Sequence, residues 1–139
     1  MIDHLGFEVS DLSTSARFYD AVFYALGARR ILASEQAVAY GVDSPTVWIV
    51  VRGRPPAPEY GHMALRASGK AAVDAAHTAG VANGGTDDGL PGPRPQYGEP
   101  CYAAYMRDPD GLRVEEQQGR VVVTCPGCKR VVEVGIATA

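Results

Sequence analysis

Three side chains that commonly bind divalent metal ions are spread along this sequence: His4, His62 and Glu115. Two imidazoles and one carboxylate are a common ligand set for divalent iron, and they also suit zinc, manganese, nickel and cobalt. Such a set occupies three coordination positions and leaves others for water or a substrate. The residue types therefore suggest one divalent metal ion, of unknown identity, that all three side chains bind.

The strands predicted around the two histidines have the same alternating pattern. Each has apolar residues on one face and its histidine on the other, which is typical of a half-buried strand. The apolar residues are Leu5, Phe7 and Val9 in segment 2–10, and Met63, Leu65 and Ala67 in segment 61–68. In segment 112–118, Arg113, Glu115 and Gln117 share a face. All three predicted ligands can therefore point into one cleft. Arg113 and Arg66 share faces with these ligands, and they either pair with an anionic substrate or are solvated arginines.

An internal repeat supports this arrangement. Aligning His4 with His62 overlays HLGFEVS on HMALRAS, and each copy continues into a helix and then strands. Two such units predict an α+β fold of two βαβββ modules, 1–53 and 60–119, with curved mixed sheets around a cleft. The predicted helices are 12–26 and 70–79, with Gly80 as the stop of the second, and the predicted strands after them are 29–34, 36–41, 46–52, 101–107 and 112–118. Segment 84–100 is predicted to be a long Gly/Pro loop, and His77 a surface histidine.

The repeat also predicts a fourth position in the cleft. Overlaying Gly53 on Gly119 places Ile49 against Glu115. Isoleucine neither binds a metal ion nor accepts a proton, so three ligands remain.

Composition limits the class of protein. The chain has 139 residues, enough for one domain with a core, and a net charge of −3 with no basic block, which argues against nucleic acid as a partner. We see no signal peptide and no apolar run long enough to span a bilayer, and a cytoplasmic location is the default expectation.

Segment 120–139 is predicted to form a separate C-terminal β-hairpin around Cys125-Pro126-Gly127-Cys128. Two cysteines are half of a structural zinc site, which usually has four ligands. Zinc, a disulfide and plain thiols in a turn all remain open for Cys125 and Cys128.

Three motifs resemble the vicinal-oxygen-chelate superfamily of glyoxalases, fosfomycin and bleomycin resistance proteins and extradiol dioxygenases. They are HLGFEVSDLSTSARFYDAVFYALGA, GHMALRA and AAYMRDPDGLRVEE, in that order within 2–119. The resemblance implies a single glyoxalase-like domain with His4, His62 and Glu115 at the metal-ligand positions and Tyr105 as a pocket side chain that orients substrate or moves a proton. It also implies a homodimer, in which His4 comes from the same chain as the other ligands or from the partner.

The resemblance implies a metal-dependent enzyme acting on a small substrate chelated through two adjacent oxygens, by lyase, transferase or dioxygenase-like chemistry. Tyr105 and Arg113 are the predicted catalytic residues. The alternative is a metal-free protein that sequesters a drug or another ligand, as in bleomycin resistance. Ile49 stands where glyoxalase I has a ligating glutamate, which argues against glutathione-dependent isomerisation.

Overall fold

The computed structural model of the chain describes residues 2–98, 100–118, 121–124 and 131–134. The first module consists of β1 (Leu5–Glu8), α1 (Leu12–Ala25), β2 (Arg29–Ala33), β3 (Ala37–Gly41) and β4 (Val47–Val50). The second consists of β5 (His62–Arg66), α2 (Lys70–Ala82), β6 (Thr86–Pro93), β7 (Tyr102–Arg107) and β8 (Arg113–Gln118). Short 3-10 turns at Pro58–Tyr60 and Pro95–Tyr97 precede β5 and β7.

The two modules have the same sheet topology. The sheet orders are β1-β4-β3-β2 and β5-β8-β7-β6. In each sheet the first strand pairs in parallel with the last strand of its module, and the remaining pairs are antiparallel. The predicted α+β fold of two βαβββ modules is therefore confirmed.

Strand β6 lies inside the segment that the sequence predicted to be a loop. It is one of the two edge strands of its sheet, and on an edge strand the proline nitrogen, which has no N–H to donate, can face solvent instead of a neighbouring strand. Its pairing with β7 shifts register twice, between Asp87 and Gly89 and between Gly89 and Gly92. Glycine, proline and broken alternation hid this strand in the sequence, and the prediction of a long loop over 84–100 was wrong there.

Helix α2 continues past Gly80, which the sequence predicted to be its stop. The glycine is buried, and a Cβ placed on it would lie 2.3 Å from Sδ of Met106. Gly80 is therefore a site of close contact between α2 and β7. His77, predicted at the surface, is also buried on this helix, where its Nε2 lies 2.9 Å from Oδ1 of Asp87.

One hydrophobic core joins the two modules. Helices α1 and α2 pack against each other, and one cluster of buried side chains contains aromatic residues of α1 together with Met63, Met106 and Val114 of the second sheet. Tyr19 is at the centre, with its ring 4.9 Å from Phe18 and 5.8 Å from Phe7 between centroids. Full burial of one side chain of this size contributes about 1.5–3 kcal/mol, so these few residues supply much of the stability.

A buried hydrogen bond fixes α1 to the turn between β7 and β8. The hydroxyl of Tyr19 donates to Oδ2 of Asp108 at 2.7 Å, while Oδ1 of the same carboxylate accepts from the backbone N–H of Asp110 and of Leu112. Ser10 bonds to Asp110 through both its backbone and its hydroxyl. The first module therefore holds the turn that leads into β8.

Glu116 is a carboxyl group inside the core. Its side chain is fully buried, and neither of its oxygens has a hydrogen-bond partner among the described residues. Burial raises the pKa of Glu116 to about 8, with a smaller contribution from the charge of Glu115. The side chain is therefore protonated at neutral pH.

Beyond the modules, β9 (Val121–Thr124) and β10 (Val131–Val134) pair antiparallel, as the predicted hairpin requires. The segment that contains Cys125 and Cys128 lies outside the described residues. Within the described ranges, neither α1 nor α2 has the length and apolar character that a bilayer-spanning helix needs.

Replacing Tyr19 by Phe should lower the free energy of unfolding by about 1–3 kcal/mol, because a buried carboxylate loses a hydrogen-bond donor. Urea denaturation followed by circular dichroism measures this loss. Tyr24→Phe on the same helix is the matched control, since Tyr24 is 83% exposed. Equal loss in both variants would show that the hydrogen bond to Asp108 is not the cause.

The stability of the wild type should fall as pH rises from about 5 to about 8, because the folded chain then retains a proton on Glu116 that the unfolded chain has released. Above pH 8 this contribution is constant. Glu116→Gln should remove a pH-dependent component of a few kcal/mol. Urea denaturation at pH 5, 7 and 9 measures it, with exposed Glu35→Gln as control. An unchanged pH dependence in Glu116→Gln contradicts the prediction.

Candidate functional site

Two of the three predicted metal ligands lie together on the second sheet. Parallel pairing of β5 with β8 sets Ala64 opposite Glu115, so that His62, two residues earlier on the same face, reaches the carboxylate. Nε2 of His62 lies 3.5 Å from Oε2 of Glu115. The carboxylate is largely buried, whereas the imidazole side chain is 53% exposed. The pair therefore sits at the open surface of the sheet.

Tyr105 orients this carboxylate. It lies directly opposite Glu115 in the pairing of β7 with β8, and its hydroxyl donates to Oε1 of Glu115 at 3.3 Å. Burial, then the charge of Glu115, raises the pKa of Tyr105 to about 12. The phenol therefore keeps its proton at neutral pH and acts here as a hydrogen-bond donor.

Arg113 lies over the ring of Tyr105, with its Cζ 4.1 Å from the ring centroid. Its Nε is 3.0 Å from Oδ2 of Asp88 but is not aligned for a hydrogen bond, so the contact is an ion pair. Arg94, which the sequence did not single out, also lies over this ring at 5.5 Å. Asp88 and Arg94 were missed because they belong to β6 and the turn after it, where no alternation was readable.

His4 immediately precedes β1 of the first sheet, whereas His62 and Glu115 lie in the second sheet. Its Nδ1 contacts its neighbour Asp3 at 2.8 Å, and its side chain is 61% exposed. It borders an open depression of about 590 Å³, which Trp48 and Arg52 also line. Within the part of the chain that the structure describes, no three His, Cys, Asp or Glu side chains are grouped to hold a metal ion.

The structure corrects the predicted fourth position of the cleft. Ile49 is fully buried in the core and points toward the helices. In the strand pairing, Gly6 lies opposite Trp48 as Ala64 lies opposite Glu115, so Trp48 is the true counterpart of Glu115. The overlay was wrong by one residue because it was anchored on glycines beyond the strands. The counterpart is still a side chain that does not ligate metals.

The donor atoms of His62 and Glu115 suit a divalent ion. Two ligands each about 2.1 Å from one metal lie roughly 3.0–3.5 Å apart, which matches their separation. The hydrogen bond from Tyr105 is the kind of outer contact that orients a metal-binding carboxylate. Further ligands are needed, and the open side of the pair leaves room for them.

Two βαβββ modules with ligand-type side chains on open sheet faces define a protein of the vicinal-oxygen-chelate type. A family model described as the Glyoxalase/Bleomycin resistance protein/Dioxygenase superfamily matches residues 1–115, and the chain belongs to this superfamily. The resemblance seen in the sequence is thus confirmed. No match was found among the curated proteins.

Solved structures agree with this assignment. A glyoxalase/bleomycin resistance protein from Albidiferax ferrireducens T118 is 32% identical, with a TM-score of 0.74 over 84% of this chain and 97% of that one. A lactoylglutathione lyase from Agrobacterium tumefaciens is 25% identical, with a TM-score of 0.60 over 84% and 92%. The fosfomycin resistance protein FosX from Mesorhizobium loti shares the fold at 24% identity, with a TM-score of 0.64 over 86% and 92%.

Proposed function

We propose that the chain is a metal-dependent enzyme whose small substrate is chelated through two adjacent oxygens. The observation that carries this proposal is the pair formed by His62 and Glu115, with their donor atoms 3.5 Å apart and Tyr105 bonded to the second carboxylate oxygen. A divalent ion bound there would supply Lewis-acid stabilisation of charge on the chelated oxygens. One such ion per site, held by His4, His62 and Glu115, is the proposed cofactor.

We infer that His4 reaches the site from a second copy of the chain. Within one chain His4 immediately precedes β1 of the first sheet, whereas His62 and Glu115 lie in the second sheet, and both histidines are more than half exposed. In a symmetric dimer the same contact occurs twice, so the first sheet of each chain faces the second sheet of its partner. Two complete sites result, each with ligands from both chains.

The residues around the carboxylate have separate roles in this proposal. Glu115 would hold the ion, and Tyr105 fixes the orientation of the Glu115 carboxylate and keeps its own proton. Arg113 adds positive charge on the substrate side of the Tyr105 ring. Trp48, in the position opposite Gly6, provides no base for proton abstraction, so lyase, transferase or dioxygenase-like chemistry is favoured over isomerisation.

A metal-free ligand-binding protein is the second candidate. The observation that favours it is the depression beside His4, about 590 Å³ and lined by Trp48, which suits a flat aromatic ligand. Its ligand would bind equally well to protein stripped of metal by a chelator, whereas the ligand of the proposed enzyme would not.

Purified protein should contain about one divalent metal ion per chain, and His4→Ala, His62→Ala and Glu115→Gln should each lose it, because every variant removes one donor. Elemental analysis after reconstitution and dialysis measures the content. Glu116→Gln is the matched control, a neighbouring carboxyl on the opposite face of β8 that should keep the metal. The proposal is contradicted if the Glu115→Gln variant retains the metal or if folded wild-type protein contains none.

A mixture of His4→Ala and His62→Ala chains should regain about a quarter of the wild-type metal content after subunit exchange. Half of the dimers are then mixed, and one of their two sites has all its ligands intact. Exchange under mild denaturant, followed by elemental analysis, measures the recovery. No recovery despite mass-spectrometric detection of mixed dimers would place all three ligands in one chain.

A further inference from the structure

The guanidinium of Arg94 is held in the candidate site by backbone carbonyls. It donates to the carbonyl of Leu90 at 2.8 Å and to that of Pro93 at 3.4 Å, and it lies over the ring of Tyr105. These acceptors order the side chain but carry no net charge. Since a guanidinium has five N–H groups, donors remain available after both contacts.

The irregular strand β6 makes room for this arrangement. A Cβ on Gly92 would lie 3.3 Å from Nη1 of Arg94, and one on Gly89 would lie 3.1 Å from the ring of Tyr105 and 3.7 Å from Nη2 of Arg94. Gly89 also has a φ of 154°, a backbone conformation that residues with a side chain rarely adopt. The two glycines thus let the guanidinium lie close to the sheet, beside the tyrosine that contacts Glu115.

Asp88 and Tyr105 together contact three guanidinium groups. Asp88 is the shared partner of two arginines, with Nη2 of Arg107 at 3.4 Å and Nε of Arg113 at 3.0 Å. One carboxylate therefore balances two guanidiniums, and Arg94 adds a third. The hydroxyl of Tyr105 contacts the carboxylate of Glu115, and in the proposed function a divalent ion offsets the charge of that carboxylate.

We propose that Arg94 and Arg113 form an oxyanion subsite beside the chelating site, so that the substrate carries a carboxylate or phosphoryl group besides its two adjacent oxygens. This inference rests on the proposed function for the chelating half. A guanidinium matches the two oxygens of such a group and binds them through paired, charge-assisted hydrogen bonds. The ring of Tyr105 shields one side of both cations from water, which strengthens their attraction for an anion.

The test compares two probes that differ only in the anionic group, catechol and 3,4-dihydroxybenzoate. Each is titrated calorimetrically into the full zinc-loaded chain, since zinc has no redox chemistry with these diols. The acid should bind at least about tenfold tighter than catechol. Arg94→Gln should remove this preference without weakening catechol, and Arg94→Lys should retain part of it. Exposed Arg17→Gln on α1 makes the same charge change and should leave both affinities unaltered.

Three outcomes overturn the oxyanion subsite while the metal site stands. They are equal affinity for the two probes, a preference for the acid that survives in Arg94→Gln, and no binding of either probe to zinc-loaded protein. Failure to bind zinc instead rejects the proposed function. The subsite is then tested by titrating inorganic phosphate into metal-free protein and recording the side-chain NMR signals of the arginines. Phosphate-induced shifts that disappear in Arg94→Gln but not in Arg17→Gln support the subsite, and their absence from the wild type overturns it.

Discussion

The carboxylate of Asp108 is the contact on which the geometry of the site depends. Its three hydrogen bonds, from the hydroxyl of Tyr19 and the backbone of Asp110 and Leu112, close the turn between β7 and β8 against helix α1. Burial raises the pKa of Asp108, and the same hydrogen bonds act against this rise by stabilising the charged form. Because β8 starts at this turn, the first module fixes the position of Glu115 in the second.

The two faces of β8 have opposite electrostatic requirements. On the helix side, Glu116 has no partner among the described residues and is held neutral by burial. On the open side, Glu115 contacts His62 and receives a hydrogen bond from Tyr105, which orients its carboxylate. Adjacent carboxyl groups of identical chemistry therefore serve different purposes, and the direction in which each points decides between them.

The irregularity of β6 links the fold to the chemistry of the site. An edge strand tolerates proline and glycine because its outer side forms no ladder with a neighbour. The two register shifts in its pairing with β7 accompany glycines at which the backbone comes close to Tyr105 and Arg94. A regular strand with side chains there would fill the space that the arginine occupies. The sheet therefore tolerates the irregular pairing of β6, and the same irregularity leaves space for Arg94 beside Tyr105.

The sequence by itself determined the two modules, most strand and helix limits and the pairing of His62 with Glu115, because alternation within a strand and repetition along the chain are visible in the order of residues. Tertiary structure decided the features that depend on contacts between distant parts of the chain. It placed β6 in an apparent loop and buried His77 against Asp87, because sheet edges and helix packing compensate for poor local propensity. It also assigned Trp48 rather than Ile49 to the fourth position, since strand pairing sets which residues are equivalent. It put His4 immediately before β1, in the other module from His62 and Glu115.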